Sequence, residues 1–231
     1  AFEQAIAAGA DVILHYGKSH DQAAELVQAA GPERSLAISA DLAEPDEVTR
    51  LWDAALAWKG RIDVLVNNAA VYEHADVDWE LDAWRASWAR TLQINLQAPG
   101  DLCRAAIHHY RAQGGGIIVN VASRGAFRGE SERYVHYSAS KGALVSLTRS
   151  IARSFAKDGV LAYTVSPGWT ATDMATQGAS PEVLAAAKIE IPLGEITPPE
   201  DVAEVITFLS SGRARHATGN TIDVCGGSYM R

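Results

Sequence analysis

Apolar residues recur along this chain at two spacings. Short aliphatic runs at residues 12–16, 36–39, 62–66, 117–121, 160–165 and 221–224 read as strands. Between them, residues 21–30, 45–58, 79–112 and 134–157 read as helices. Gly31-Pro32 ends the first helix, and Pro45 suits the first turn of the second. The third is expected to bend near Pro99. Leu144, Leu147, Ile151 and Phe155 form one stripe of the fourth. Residues 1–9 read as the end of a further helix, with Phe2 and Ile6 one turn apart. Strands separated by helices predict an α/β fold, a doubly wound parallel (Rossmann-like) sheet in one domain over residues 1–231. Residues 170–193 stand apart, rich in Thr, Gly, Ser and Pro before an Ala-rich helix at 181–188. They follow a strand's carboxyl end, where ligands bind in such sheets. A substrate lid and an ordinary surface loop are both open readings.

Composition narrows the function. Of 231 residues, 48% are hydrophobic, enough for one large core. A net charge of -8 without a long basic run argues against nucleic acid as a partner. No apolar stretch reaches membrane-spanning length. Cys103 and Cys225 are far apart and form neither a metal motif nor a disulfide framework. They read as packing residues in a reducing cytoplasm. None of the seven histidines has metal-ligand spacing, and His108-His109 reads as partly exposed helix surface.

Candidate chemistry centres on Tyr137 and Lys141. Residues four apart share a helix face, so these two side chains can share one site. A phenol titrates near pH ~10, and a nearby ammonium favours the phenolate. The pair can then exchange a proton with an alcohol or ketone. Ser123, fourteen residues before Tyr137, ends an apolar run that reads as a buried strand. Its hydroxyl can hold the same substrate oxygen. Arg124, Arg128 and Arg133 lie between Ser123 and Tyr137. Either they favour an anionic substrate or the phosphopantetheine of an acyl thioester, or they solvate the loop or pair with Glu130 and Glu132. His136 precedes Tyr137 but points elsewhere on the helix.

Further motifs follow one order: Asp41-Leu42, Asn67-Asn68-Ala69-Ala70, Asn95, then Ser123, Tyr137 and Lys141. Ser166-Pro167-Gly168-Trp169-Thr170-Ala171-Thr172 and a C-terminal strand ending in Gly226-Gly227 complete it. Over its whole length the chain resembles the short-chain dehydrogenase/reductase family. In general pattern it is nearest the family's 3-oxoacyl-thioester (acyl carrier protein) reductases. Where the family has Asn-Asn-Ala-Gly, this chain has Ala70, which adds a β-carbon.

The resemblance implies an oxidoreductase that moves a hydride between a nicotinamide and a ketone or secondary alcohol. Tyr137 becomes the general acid/base, Lys141 lowers its pKa and holds the nicotinamide ribose, and Ser123 orients the substrate. Asn95 supports a water linked to Lys141. Asp41 and Leu42 fall at the adenine end, and Asn68, Ala69 and Ala70 lie close to the cofactor. Pro167, Gly168, Thr170 and Thr172 match contacts to the carboxamide. No acid occurs between residues 14 and 19, whereas Lys18 and Ser19 can meet a 2′-phosphate. NADP(H) is therefore favoured, with NAD(H) possible. A homotetramer is expected, packed through residues 95–112 and 137–157, with Leu102, Ile107, Leu147 and Phe155 contributing. The family opens with a strand and a Thr-Gly-x-x-x-Gly-x-Gly loop, and neither occurs here. The expectation is that Ala1 is not the native start. The competing reading is a non-catalytic protein of this fold that binds a ligand or partner.

Overall fold

The computed structural model describes residues 1–172 and 180–231. Helix α1 (Phe2–Ala7) leads into β1 (Val12–Tyr16), α2 (His20–Ala30), β2 (Ser35–Ser39), α3 (Pro45–Lys59) and β3 (Val64–Asn67). Next come α4 (Leu81–Leu92), a π-helical turn (Gln93–Gln97), α5 (Ala98–Gln113), β4 (Gly116–Val121) and the short α6 (Gly125–Arg128). The chain continues through α7 (Val135–Phe155), β5 (Val160–Pro167), α8 (Pro181–Glu190), α9 (Pro199–Ser210) and β6 (Thr221–Val224). Local chemistry sets several of these bounds. In α3, Pro45 occupies the first turn with Asp46 and Glu47, Lys59 the last, and Gly60 closes the helix at φ 72°.

All strand pairs are parallel, in the orders β1-β2 and β3-β4-β5-β6. Among the described residues, β1 pairs only with β2 and β3 only with β4. Helices cover both faces of the larger sheet. On one face Ile118, Val160 and Ala162 pack with Val48, Leu51, Trp52, Leu102 and Ile151 from α3, α5 and α7. On the other, Val119, Tyr163 and Val165 meet Val202, Ile206 and Leu209 of α9. Neighbouring residues of β4 and β5 thus serve opposite cores, which is why these strands are continuously apolar. Each large aliphatic side chain so buried contributes about 1.5–3 kcal/mol. Of the residues expected at a subunit contact, Leu102 and Ile107 are buried in the first of these cores, and Leu147 and Phe155 pack against it half-buried.

Two boundaries differ from the sequence reading. The long helix is interrupted at Gln93–Gln97, before Pro99. Pro99 has no N–H to offer the carbonyl four residues back, so its cost falls one turn earlier, at Asn95. The strand expected from residue 62 starts at Val64, because α5 side chains satisfy the Ile62 backbone. His109 Nε2 accepts from Ile62 N at 3.1 Å, and Gln113 Nε2 donates to Ile62 O at 2.8 Å. His108 is exposed and His109 half-buried, the partly exposed helix surface expected, and His109 also serves as a joint to the Ile62 backbone.

Candidate active site

Parallel strands bring their carboxyl ends to one edge, so the segments after β3, β4 and β5 lie side by side there. The β4 end is pinned by Ala122 N donating to Val165 O at 2.8 Å and Arg124 N to Pro167 O at 2.9 Å. Between them, Ser123 Oγ accepts from Gly125 N at 3.0 Å and starts α6. Helix α7 packs against β5 and carries Tyr137 and Lys141 one turn apart. Both are buried, at 8% and 2% exposure.

Lys141 Nζ donates to Val121 O at 2.7 Å and lies 5.8 Å from the Tyr137 ring centre. Burial pushes the Tyr137 phenol up to about 12, while the Ser123 hydroxyl pulls the other way. Burial lowers Lys141 to about 8. Lys141, expected to lower the Tyr137 phenol, is not among the groups that act on it here. The ammonium is turned to a backbone carbonyl, and desolvation of the phenol dominates.

Asn95, fully buried in the π-turn, clamps the loop after β3. Its Oδ1 accepts from Val71 N at 2.8 Å, and its Nδ2 donates to Val71 O at 3.0 Å and Ser140 Oγ at 3.2 Å. Ser140 Oγ donates to Tyr137 O at 2.7 Å, so Asn95 reaches the tyrosine through the backbone of α7. Beneath lies a polar rung that the sequence reading missed. Asn67 Nδ2 donates to Asn120 Oδ1 at 2.8 Å, and Asn120 Nδ2 to Thr148 Oγ1 at 2.9 Å. An Asn inside the apolar run of β4 was the available signal.

Tyr72 was also missed. Its ring stands edge-on to Tyr137 at 4.7 Å and stacks on Tyr134 at 3.9 Å. Burial raises its phenol above the ordinary value, so it stays neutral. His136 faces Trp88 instead, with ring centres 5.7 Å apart.

Of the open readings for the loop arginines, pairing with acids holds, but the partners are Glu190 and Asp76 and not Glu130 and Glu132. Arg124 Nη2 donates to Glu190 Oε2 at 3.1 Å, and Arg128 Nη1 donates to Glu190 Oε1. Arg133 pairs with Asp76 at 3.4 Å. Glu190, the last residue of α8, is out of reach of any local spacing rule. Burial opposes ionisation of Glu190, but Arg128 and Arg124 hold its carboxyl below the ordinary value. Burial raises the carboxyl of half-buried Glu130, against the pull of Arg128 and Arg124.

The remaining predicted residues spread along the strand ends. Lys18 and Ser19 are exposed after β1, beside a cleft of about 230 Å³ lined by Tyr16, Gly17, Ser19 and Gln22. Asp41 shapes its own turn: its Oδ1 accepts from Ala43 N at 2.9 Å, and its N donates to Glu47 Oε2 at 2.7 Å. Leu42 is buried in the core, and its carbonyl accepts from Gln93 Nε2 at 3.4 Å. Asn68 and Ala69 are exposed. Among the described residues no non-glycine has positive φ, so Ala70 carries its β-carbon without backbone strain. Past Pro167, Gly168 N donates to Val224 O at 3.0 Å, and a β-carbon on Gly168 would sit 2.7 Å from Cys225 Cβ. Thr170 bridges to Thr197, and Thr172 N donates to Thr170 O at 2.7 Å. Of the expected lid, residues 173–179 lie outside the described residues.

These donors fit a nicotinamide dinucleotide laid across the strand ends. Exposed Asn68 and Ala69 follow β3, and Lys18 and Ser19 offer donors after β1 in a stretch, residues 14–19, that contains no acid. Among the described residues, no group of three His, Cys, Asp or Glu could hold a metal, and no helix is long and apolar enough to cross a membrane.

A family model described as enoyl-(acyl carrier protein) reductase matches residues 2–229. The chain is 35% identical to a cis-4-hydroxycyclohexanecarboxylate dehydrogenase of Sinomonas cyclohexanicum, over 95% of this chain and 86% of that protein. A short-chain dehydrogenase/reductase (glucose/ribitol dehydrogenase) from Brucella melitensis superimposes with a TM-score of 0.86 at 33% identity, covering 98% of this chain and 89% of that one. A gluconate 5-dehydrogenase from Burkholderia cenocepacia J2315, solved with NADP and tartrate, does so at 0.85 and 25% identity, covering 99% and 91%.

Proposed function

The chain belongs to the short-chain dehydrogenase/reductase family and is an NAD(P)-dependent oxidoreductase; from that premise we propose that it interconverts a ketone and a secondary alcohol with NADP(H). Bound nicotinamide supplies the hydride chemistry. Tyr137 gives its phenolic proton to the ketone oxygen on reduction and takes it back on oxidation. A phenol held neutral by burial, near 12, suits the donor role. Lys141, at 5.8 Å from the ring, lowers the cost of the phenolate left behind. Ser123 holds the same substrate oxygen. Asn95, through Ser140, fixes the first turn of α7. Asp41, Leu42, Asn68, Ala69, Ala70, Pro167, Gly168, Thr170 and Thr172 form the cofactor's bed in this reading.

The observation that carries it is the burial of Tyr137 and Lys141 together beside Ser123. NADP(H) over NAD(H) is supported by Lys18 and Ser19, and by the NADP bound to the Burkholderia neighbour. A 3-oxoacyl thioester is one candidate substrate, in line with the 31% identity to a 3-oxoacyl-(acyl-carrier-protein) reductase of Staphylococcus aureus. The dehydrogenase from Sinomonas points to a small carboxylate-bearing ring alcohol. A cytoplasmic homotetramer completes the proposal, by likeness to the family. The test is a panel of ketones and alcohols with both nicotinamides. Tyr137→Phe should abolish turnover while cofactor affinity stays close to wild type. Retention of most of the rate would remove Tyr137 from the acid/base role.

A further inference from the structure

This inference rests on an active site at Ser123 and Tyr137. Arg124 directly follows Ser123, and its side chain is only 5% exposed. A buried guanidinium needs an anion beside it. Its hydrogen-bonded anion, Glu190, accepts from Nη2 at 3.1 Å and is shared with Arg128. Arg124 Nη1 is buried with no hydrogen-bond partner among the described residues. The charge of Arg124 bears on the Tyr72 phenol, whose ring is 4.7 Å from that of Tyr137. Glu130 bears on both tyrosines.

Glu190 is a replaceable counter-ion. Its side chain is 39% exposed, and it ends a helix in which only Ala187 is buried. Ile189 beside it is 87% exposed. Parting so exposed a carboxylate from Arg128 costs little. Arg124, by contrast, must keep an anion. With Glu190 withdrawn, Arg124 and Arg128 lose the carboxylate that hydrogen-bonds both of them, and Glu130 keeps only a through-space pull on the two guanidiniums.

We propose that Arg124 and Arg128 recognise a carboxylate on the substrate, and that Glu190 fills their place as an internal surrogate which the substrate displaces. The preferred substrate is then a small ketone or secondary alcohol bearing a carboxylate away from the reacting carbon. Nη1 of Arg124 supplies the donor that Glu190 leaves unused.

The test is calorimetric titration of the full chain with cyclohexanecarboxylate, which cannot be reduced at a carbonyl, and with uncharged cyclohexanemethanol. Glu190→Gln should bind cyclohexanecarboxylate about 10-fold tighter than wild type, because the competing carboxylate is gone. Arg124→Met should bind it about 10-fold or more weakly, the loss expected for a charged hydrogen bond. Cyclohexanemethanol should not distinguish them. Arg128→Met, at a half-exposed position, gives the same reading if Arg124→Met does not fold. Glu190→Gln binding no tighter than wild type, parallel weakening of both ligands, or no binding by either protein would overturn the inference. Tyr137→Phe should bind cyclohexanecarboxylate like wild type, so failure of the acid/base reading shows in turnover and not in this titration.

Discussion

Replacing Lys141 by Met should change the pH dependence of stability in a calculable way. Lys141 is 2% exposed, and burial lowers its pKa from 10.5 to about 8. Below about pH 8 it is charged in both the folded and unfolded chain, and the fold bears the whole desolvation cost. Between about 8 and 10.5 the unfolded chain binds the proton more tightly, so stability rises with pH. Above 10.5 the penalty is gone. The interval from about 8 to 10.5 corresponds to about 3 kcal/mol. Lys141→Met removes the titration and keeps much of the volume. It also loses the bond to Val121 O, a nearly constant offset. Groups that titrate alike in both proteins cancel. Urea unfolding of wild type and variant from pH 7 to 10.5 should show the wild type gaining about 3 kcal/mol on the variant. A difference that stays flat, or moves the other way, would refute the picture of an ammonium confined in the interior. The variant should also be inactive at every pH.

Other tests reach separate parts of the molecule. Lys18→Ala should raise the KM for NADPH about 10-fold while leaving NADH nearly unchanged; equal losses would show that Lys18 does not read the 2′-phosphate. Gly168→Ala should lower stability by about 1–3 kcal/mol in thermal melts, because its new β-carbon meets Cys225 at 2.7 Å. A melting temperature equal to wild type would mean that the β5–β6 crossing yields freely. Light scattering at micromolar concentration should give a tetramer's mass, and a monodisperse monomer would contradict the assembly.

Much of this architecture could be read from spacing. The apolar runs of β4 and β5 announce strands buried on both sides, and the four-residue interval from Tyr137 to Lys141 places both on one face of α7. Ser123 follows from the end of β4. What spacing could not supply was tertiary approach. Tyr72 meets Tyr137 only because the loop after β3 is folded back by Asn95. Glu190 meets Arg124 across 66 positions of sequence. The upward displacement of Tyr137 follows from depth, which a pattern of neighbours does not report. The polar rung of Asn67, Asn120 and Thr148 joins elements whose pairing had first to be known.

The π-turn at Gln93–Gln97 also sets a rotational phase. Each residue of an α-helix advances about 100° around the axis, and a π-turn closes its bonds one residue later than an α-turn. Helix α5 is therefore rotated by about 100° from where an unbroken continuation of α4 would carry it. Asn95 can point at Val71 and Ser140 while Leu102, Ala106 and Tyr110 still point at the sheet. Deleting one residue from this turn would restore the α phase and set the two demands against each other. Either the amide would leave its loop, or a whole face of α5 would turn from the core.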